Sequence, residues 1–499
     1  MRRCFRWLLV VVLVMGMGAP GAVQASPVTP EGDVENVELV GSIPELVDST
    51  AINFLTYGRG RRARDVMAVV GRFGVRTYDL SDPTRPVFLS EASSEALKLE
   101  GDETGTFWQN EDMAVDQRRK LIFLARDPRA YGGTTTSDDD PAGVYVVDAS
   151  DPEHIYVRSW VEVGTGHTAT CVNDCAYLWV GGPASSASQQ AQWPQGRPIK
   201  VVDMRDPDDP SVLPDAVDLE RNDGTTAYAH DVQVDAAGIA WVSGLGGVRG
   251  YHTRGLRWDP VRERLRRATA AHPVPFAGGK FDEAAAPTAF MHNSVRAVGR
   301  TAKDGAHPRH GYRPDQLIMA TEEQFSDQNC DGTGMFSIAS LKGSYHGEGW
   351  RSTPEEPFRL ETVGTWTPFE KEGFIPDMPY CSAHYFEVQR RIVAYAWYFQ
   401  GTRFLDISDP ENPIQIGYYR PDDTLAWAPY FFGDHVYVAD HQRGVDILKL
   451  TDGATKASRQ RREVHAPTMS AHAQDNARVA MADFTPDPQL GWACPLPRS

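Results

Sequence analysis

Residues 401–413 read GTRFLDISDPENP, and this stretch decides the fold because it recurs along the chain. Further copies lie at 74–86 (GVRTYDLSDPTRP), 143–155 (GVYVVDASDPEHI) and 199–210 (IKVVDMRDPDDP), and residues 444–450 (GVDILKL) repeat the first half. The branched and aromatic first half is typical of a β-strand. The Ser/Arg-Asp-Pro that follows is typical of a tight turn, because Asp accepts from backbone amides and Pro presets the dihedral angle.

Two more strands are predicted upstream of each copy, so each unit is interpreted as four short antiparallel strands, the blade of a β-propeller. Clear units end near residues 90, 160, 216, 420 and 450, and two more are placed within 217–380. The sequence therefore predicts an all-β propeller of seven four-stranded blades, although six or eight also fit the spacing. The last unit lacks an outer strand. The stretch 37–44 (VELVGSIP) is predicted to supply it, since closure removes two exposed sheet edges.

The pattern Gly-Val-x-x-Val-Asp-x-Ser-Asp-Pro resembles the LVIVD repeat of bacterial secreted and surface proteins. The resemblance covers roughly residues 37–450. It implies a propeller and an extracytoplasmic location. It implies no particular chemistry, because one fold hosts many functions.

The N-terminus has the layout of a secretory signal peptide, predicted over residues 1–25. A basic start is followed by an apolar run at 7–15, which is too short to span a bilayer because a spanning helix needs about 20 residues. We therefore expect a secreted chain without a transmembrane segment. The propeller is assigned to 26–450, and 451–499 is interpreted as a C-terminal tail, either flexible or wrapped along the barrel.

The charge balance bears on the partners. The chain carries 50 Lys and Arg residues against 67 Asp and Glu residues, a net charge of −17. A chain this acidic repels phosphate backbones, so nucleic acid is not expected as a partner.

Two cysteine pairs are candidates for disulfides in an oxidising compartment. Cys171 and Cys175 flank a predicted tight turn, which would bring the two thiols together across a hairpin. Cys330 and Cys381 form the second candidate pair and leave Cys494 over. Spacing alone does not fix these pairings.

Aligning the units on the start of each first strand puts seven positions in one register: Asn53, Glu111, His167, His230, His292, His384 and Trp427. First strands line the channel of a propeller, so these side chains are expected to point toward the axis at one height. Converging imidazoles bind transition metals through their neutral nitrogens. The predicted ligands of an iron, copper or zinc site are His167, His230, His292, His384 and Glu111. The alternative is that duplication copied one structural histidine that hydrogen-bonds within its blade.

A second candidate cation site lies at 327–332 (DQNCDG), where Asp327, Asn329 and Asp331 alternate before a glycine, as at the start of a calcium loop. A complete EF-hand is excluded, because Ile338 stands where its Glu would be. The alternative is a polar turn. A separate Arg-rich stretch, 261–267 (VRERLRR), is interpreted as a short helix within a long insertion.

The sequence contains no nucleophile elbow, phosphate loop or His-Glu-x-x-His motif. The function expected first is therefore a binding module for a protein, glycan or cell-wall ligand at or outside the cell surface. The alternative is a metal-dependent oxidase or oxygenase with the four histidines in the channel, since an open metal position suits oxygen chemistry.

Overall fold

The structure of the chain is a computed structural model. It describes residues 32–102, 107, 110–134, 140–182, 199–214, 217, 229–244, 247–260, 262–282, 290–296, 314–322, 334–344, 359–368, 372, 382–481, 484–487 and 491–497. Among these residues, no helix has both the length and the apolar character that crossing a bilayer requires.

Seven sets of four antiparallel strands follow one another along the described chain, which confirms the predicted β-propeller and its blade number. Blade 1 consists of Ser49–Tyr57, Arg64–Gly71, Gly74–Asp79 and Val87–Ser93. Blade 2 consists of Met113–Asp116, Leu121–Arg126, Gly143–Asp148 and Tyr156–Glu162. Blade 3 consists of Thr168–Val172, Tyr177–Gly181, Lys200–Asp203 and Ser211–Val212.

The remaining four blades continue the same up-and-down order. Blade 4 consists of Ala229–Val234, Ile239–Gly244, Gly247–His252 and Val274–Phe281. Blade 5 consists of Met291–Arg296, Leu317–Glu322, Met335–Ser340 and Arg359–Trp366. Blade 6 consists of Phe386–Gln389, Ile392–Ala396, Thr402–Asp406 and Ile414–Pro421. Blade 7 consists of Ala426–Phe432, His435–Asp440, Gly444–Leu450 and the N-terminal strand Val37–Ile43.

The ring closes as the sequence predicts, because the N-terminal strand pairs antiparallel with Gly444–Leu450 as the outer strand of blade 7. The first strand of each blade packs against that of the next blade, and blade 7 packs against blade 1. A separate apolar cluster fills each of the seven gaps between neighbouring blades. Burial between sheets therefore holds the ring together.

The channel has two ends, which the strand directions distinguish. All first strands begin at one end, which we call the start face. Because the strands alternate in direction, the turns between third and fourth strands lie at the opposite end, which we call the turn face. Short 3-10 helices interrupt the connections at Pro44–Leu46, Gly60–Arg62, Ser94–Leu97, Ala130–Gly132 and Pro314–Gln316.

The repeated Asp closes the third strands of blades 1, 2, 3 and 6, the four blades that carry the complete motif. Asp79 Oδ1 accepts a hydrogen bond from the Ser81 amide at 2.7 Å, and Asp406 Oδ1 does the same with the Ser408 amide at 2.7 Å. The second aspartate of the motif repeats this turn, with Asp82 Oδ1 accepting from the Thr84 amide at 3.0 Å. These side-chain turns reverse the chain toward the outer strand.

Two further pairings extend the blades, and one local prediction is wrong. The outer strand of blade 6 is not an edge, because a further strand, Gly32–Glu35, pairs with Ile414–Pro421. The outer strands of blades 4 and 5 are joined by a short parallel pairing in which Lys280 faces Arg359. The Arg-rich stretch does not form the predicted helix. Its described residues, 262–267, lie instead in a β-hairpin in which Arg264–Ala268 pairs antiparallel with Gly255–Asp259.

The C-terminal region contains regular structure where an aperiodic tail was predicted. Helices span Asp452–Gln460 and Ala471–Met481, and a hairpin pairs Phe484–Asp487 with Gly491–Pro497. The segment between the helices is tied to blade 6 by the buried Glu372 carboxylate.

Glu372 accepts from the Ala466 amide at 2.9 Å and forms an ion pair with Arg403 Nη1 at 2.9 Å. Ala473 and Ala477 of the second helix then pack in one apolar cluster with Phe399 and Leu425. Both of these partners lie in connections at the start face, so the second helix covers part of that end of the channel.

Candidate metal centre

The candidate metal centre is built at the start of the first strands. A β-bulge interrupts the first strand of blade 4 between Ala229 and Asp231 and that of blade 5 between Met291 and Ser294. Bulges re-aim side chains, and His230 and His292 occupy these two. In blade 6, the His384 amide donates to the Ala396 carbonyl, and the Ala396 amide donates to the Tyr385 carbonyl, both at 2.9 Å. Two residues of the first strand therefore pair with one residue of the second, which shifts the register as a bulge does.

The four predicted histidines and Glu111 converge. His167 Nε2 lies 3.0 Å and His230 Nε2 lies 3.3 Å from Glu111 Oε2. His292 Nε2 lies 3.4 Å from the same oxygen, and His384 Nε2 lies 3.6 Å from Glu111 Oε1. All five side chains are buried, with at most 1% exposed. Five blades thus present one carboxylate and four ring nitrogens at a single point.

The spacing suits one ion. Ligand atoms of Glu111, His167 and His230 lie within 4.8 Å of one another, and those of Glu111, His292 and His384 do the same. Opposite ligands of an ion with bonds of about 2.1 Å lie roughly 4.2 Å apart. Small movements of the side chains would therefore bring both triplets onto a common ion.

Three of the imidazoles have their orientation fixed by their other nitrogen. His230 Nδ1 donates to the His292 carbonyl at 2.9 Å, and His384 Nδ1 donates to the Trp427 carbonyl at 2.6 Å. His167 Nδ1 donates to Asp127 Oδ2 at 3.0 Å. An imidazole that carries its proton on Nδ1 has a lone pair on Nε2, which is the state required of a metal ligand.

Glu111 consequently faces lone pairs when these rings are neutral. Neither Glu111 oxygen, nor Nε2 of His167 or His384, has an aligned hydrogen-bond partner among the described residues. A buried carboxylate surrounded by nitrogen lone pairs is unfavourable unless a cation lies between them. A proton or a metal ion can supply that positive charge.

The pKa values show how the centre distributes charge. Burial alone would raise the pKa of Glu111, but the charges of His167 and His384 hold it well below its usual range. Burial alone would lower the pKa of His167, but Glu111 and Asp127 raise it to about 9. Burial and the neighbouring imidazoles lower the pKa of His292 well below its usual range. The site therefore combines an ionised carboxylate with a neutral imidazole, and His167 holds a proton that a metal would displace.

Two residues that support His167 were missed by the sequence analysis. Asp127 is fully buried and is held by Arg129, whose Nε lies 2.6 Å from Asp127 Oδ1. Gly182 has a φ of +116°, and a Cβ built on it would lie 2.1 Å from the Cβ of His167. Only glycine leaves room for the histidine there. Asp127 and Gly182 both follow second strands, so a search for buried polar or glycine residues at those ends could have found them.

Aromatic side chains pack around the imidazoles. The Tyr385 ring contacts those of His292 and His384 edge-on, with centroids 4.5 Å and 4.8 Å away. Phe290 contacts His230 with centroids 5.4 Å apart, and Trp427 contacts His384 at 4.4 Å. The surroundings of the centre are therefore largely apolar, which strengthens electrostatic interactions within it.

Acidic side chains follow the centre toward the turn face. Burial and repulsion from Asp231 raise the pKa of Asp112 well above its usual range. Burial raises the pKa of Asp231 to about 6 and that of Glu387 to about 7. The channel therefore changes from imidazole to carboxyl groups along its axis.

The register of the seven predicted positions is right in six blades and wrong in one. Asn53 is not the blade 1 member, because the bulge of that strand lies between Ser49 and Ala51 and places Thr50 there. The Thr50 hydroxyl donates to the Asn110 carbonyl at 2.7 Å. Asn53 lies farther along the strand and donates to the Met113 carbonyl at 2.8 Å. Trp427 occupies the blade 7 bulge as predicted.

The remaining predicted sites have different outcomes. The sulfur atoms of Cys171 and Cys175 lie 2.08 Å apart, at disulfide distance. Cys330, Cys381 and the calcium-loop residues Asp327, Asn329 and Asp331 lie outside the described residues. The calcium site and the second disulfide therefore stay predictions.

Comparisons with known proteins add little to this picture. No family model and no curated protein matches the chain. Among solved structures, the WD40 β-propeller domain of Doa1 is similar, with a TM-score of 0.43 and 8% identity. The match covers 84% of this chain and 98% of that domain.

The β-propeller domain of Myceliophteria thermophila Cps50 (Swd1) has a TM-score of 0.45 and 10% identity, over 84% of this chain and 100% of that one. These likenesses are too distant to carry an argument about function. The resemblance to LVIVD repeats stays a prediction.

Proposed function

We propose that this chain is a metal-dependent enzyme of the oxidase or oxygenase class, with its metal held in the propeller channel by Glu111 and four histidines. The observation that carries the proposal is the convergence of four Nε2 atoms from four blades on one buried carboxylate. A structural histidine copied by duplication would hydrogen-bond within its own blade. Here Nδ1 of His167, His230 and His384 makes the supporting hydrogen bond, which leaves Nε2 directed at the axis.

The ligand set favours iron among the three metals considered. Imidazole nitrogens suit iron, copper and zinc. Protein zinc sites are almost always four-coordinate, whereas a six-coordinate metal held by Glu111 and the four histidines would keep room for one more ligand. Bound there, iron would supply the binding and activation of dioxygen or of a substrate oxygen.

The protein's own residues would hold and shield this chemistry. Asp127 fixes the ring of His167, and the His292 and Trp427 carbonyls fix the rings of His230 and His384. The rings of Phe290, Tyr385 and Trp427 pack against these imidazoles and would shield a bound metal from water.

Export from the cell and the LVIVD relationship belong to the same proposal, supported by the predicted signal peptide over residues 1–25 and the recurring Asp-Pro turns. The binding-module alternative keeps one supporting observation, an exposed hairpin on blade 4. A glycan or cell-wall ligand stays a prediction.

Elemental analysis of protein purified without chelators tests the metal. We expect near-stoichiometric iron in the wild type and its loss in the His230→Ala/His292→Ala variant. His252→Ala is the matched control, because His252 ends the third strand of blade 4 and is not one of the seven aligned channel positions. No transition metal in the wild type after anaerobic reconstitution with iron, copper and zinc would contradict the proposal. If the metal is found, oxygen consumption by the metal-loaded protein would assign the reaction class.

A further inference from the structure

The hairpin of Gly255–Asp259 and Arg264–Ala268 forms a separate two-stranded sheet beside the outer strand of blade 4 and belongs to no blade. It is inserted between the third and outer strands of that blade, so it emerges at the turn face. Its strands pair antiparallel, with Trp258 opposite Leu265 and Leu256 opposite Arg267. These four side chains therefore share one side of the two-stranded ribbon.

That side is apolar and exposed. Leu256 is 60%, Trp258 is 52% and Leu265 is 62% exposed. No other leucine or tryptophan among the described residues is as exposed as these three. Three large apolar side chains clustered on one exposed ribbon are unfavourable in water, and such a patch marks a contact surface.

The hairpin is also basic within an acidic chain. Residues 255–268 contain five arginines against Asp259 and Glu263, a net charge of +3, whereas the whole chain has −17. Asp259 is buried and pairs with Arg266 at 2.6 Å and with Arg262 at 3.2 Å. Arg257, Arg264 and Arg267 make no ion pair with the described residues, so their charge is available to a partner.

We propose that this hairpin docks the protein on an anionic lipid surface. Leu256, Trp258 and Leu265 on the exposed side of the ribbon can enter the interface between headgroups and acyl chains. Arg267 on the same side can contact lipid phosphates, and Arg257 and Arg264 on the other side add attraction to an anionic surface within the screening length. The rest of the protein is repelled by an anionic bilayer because of its net negative charge. Charge complementarity therefore selects the hairpin as the docking element. Because the hairpin emerges at the turn face, that end of the channel would lie nearer the lipid.

The orientation has a consequence for the rest of the molecule. The candidate metal centre and the helix Ala471–Met481 lie toward the start face, so both would point away from the bilayer. Docking does not require the metal, so the two proposals can fail separately.

Co-sedimentation of the full chain with lipid vesicles tests the proposal. We expect binding to phosphatidylcholine vesicles containing about 30% phosphatidylglycerol, weaker by roughly 10-fold or more on neutral vesicles and lost at high salt. The variants Leu256→Ser/Trp258→Ser/Leu265→Ser and Arg257→Gln/Arg264→Gln/Arg267→Gln should each lower binding by at least roughly 10-fold.

The matched controls are Arg59→Gln/Arg61→Gln/Arg62→Gln, which removes three exposed arginines of blade 1, and Val479→Ser, which removes an isolated exposed apolar side chain. Both should bind as the wild type does. Circular dichroism and metal content must match the wild type in all variants. Equal binding to neutral and anionic vesicles, or unchanged binding of both hairpin variants, would overturn the proposal. Self-association that the hairpin variants abolish, without vesicle binding, would assign the surface to a second copy instead.

Discussion

The residue at the start of the first strand, which we call the ring position of each blade, has one role in blades 2 to 6 and another in blades 1 and 7. In the five consecutive blades, that position carries a potential metal ligand directed at the axis. In the other two it carries Thr50 and Trp427, which hold the ends of the arc. Thr50 donates to the carbonyl that precedes Glu111, and the Trp427 carbonyl accepts from His384 Nδ1. A ring of seven repeats thus provides both a ligand arc and the support that closes it.

The largest difference between the two groups of blades should appear in metal content. His292→Ala removes a ligand from the middle of the arc, so we expect metal affinity to fall by roughly 100-fold or more, beyond the usual effect of losing a supporting residue. Trp427→Phe keeps the backbone carbonyl that His384 contacts, so metal content should stay unchanged. Competition with a chromophoric chelator measures both. Equal losses in the two variants would mean that the ring position matters for packing and not for ligation.

Most of the fold and part of this comparison could be predicted from the sequence. The Asp-Pro turns report on local backbone chemistry, so the blades and the closing strand Val37–Ile43 followed directly. The four histidines were found because they share a register. Thr50 was missed because the bulge that sets its register depends on pairing with the second strand, which a pattern of residue types does not reveal.

The residues that hold the histidines in place from other positions could not be predicted in the same way. Asp127 reaches His167 from another blade, and the contact depends on how blades 2 and 3 pack. The hairpin of blade 4 was misread because a short arginine-rich run fits both a helix and an alternating strand, and the apolar partner strand decides between them.

Asp127→Asn should have the next largest effect. The amide cannot accept from His167 Nδ1 with the strength of a carboxylate, so the ring loses both orientation and basicity. Loss of such a supporting residue lowers metal affinity by about 10–100-fold. Asp151→Asn, an exposed aspartate of the blade 2 turn, is the control and should leave affinity unchanged. An affinity of Asp127→Asn equal to the wild type would show that blade 2 contributes only Glu111.

Gly182→Ala sharpens the comparison without altering any ligand. The new Cβ would meet the Cβ of His167, so the imidazole must move and metal affinity should fall by about 10-fold. Gly60→Ala separates this effect from backbone strain, since Gly60 also has a positive φ, +61°, but open space around it. Gly60→Ala should lose about 1 kcal/mol of unfolding free energy from strain, and Gly182→Ala should lose more because of the clash, yet only Gly182→Ala should lose metal. Reduced affinity in both would assign the effect to strain alone.

The smallest effect is expected in blade 1. Thr50→Val keeps the shape of the side chain but removes the hydrogen bond to the Asn110 carbonyl, which is 2.7 Å long and buried. The carbonyl loses its partner, so the free energy of unfolding should fall by about 1–2 kcal/mol, measured by urea denaturation. Metal stoichiometry should stay unchanged, because the backbone of Glu111 is also held by its amide, which donates to the His167 carbonyl at 3.2 Å. A loss of metal in Thr50→Val as large as that in Asp127→Asn would mean that blade 1 positions Glu111 directly. The arc of ligands would then depend on all seven blades, because its two ends are held by the blades that carry no ligand.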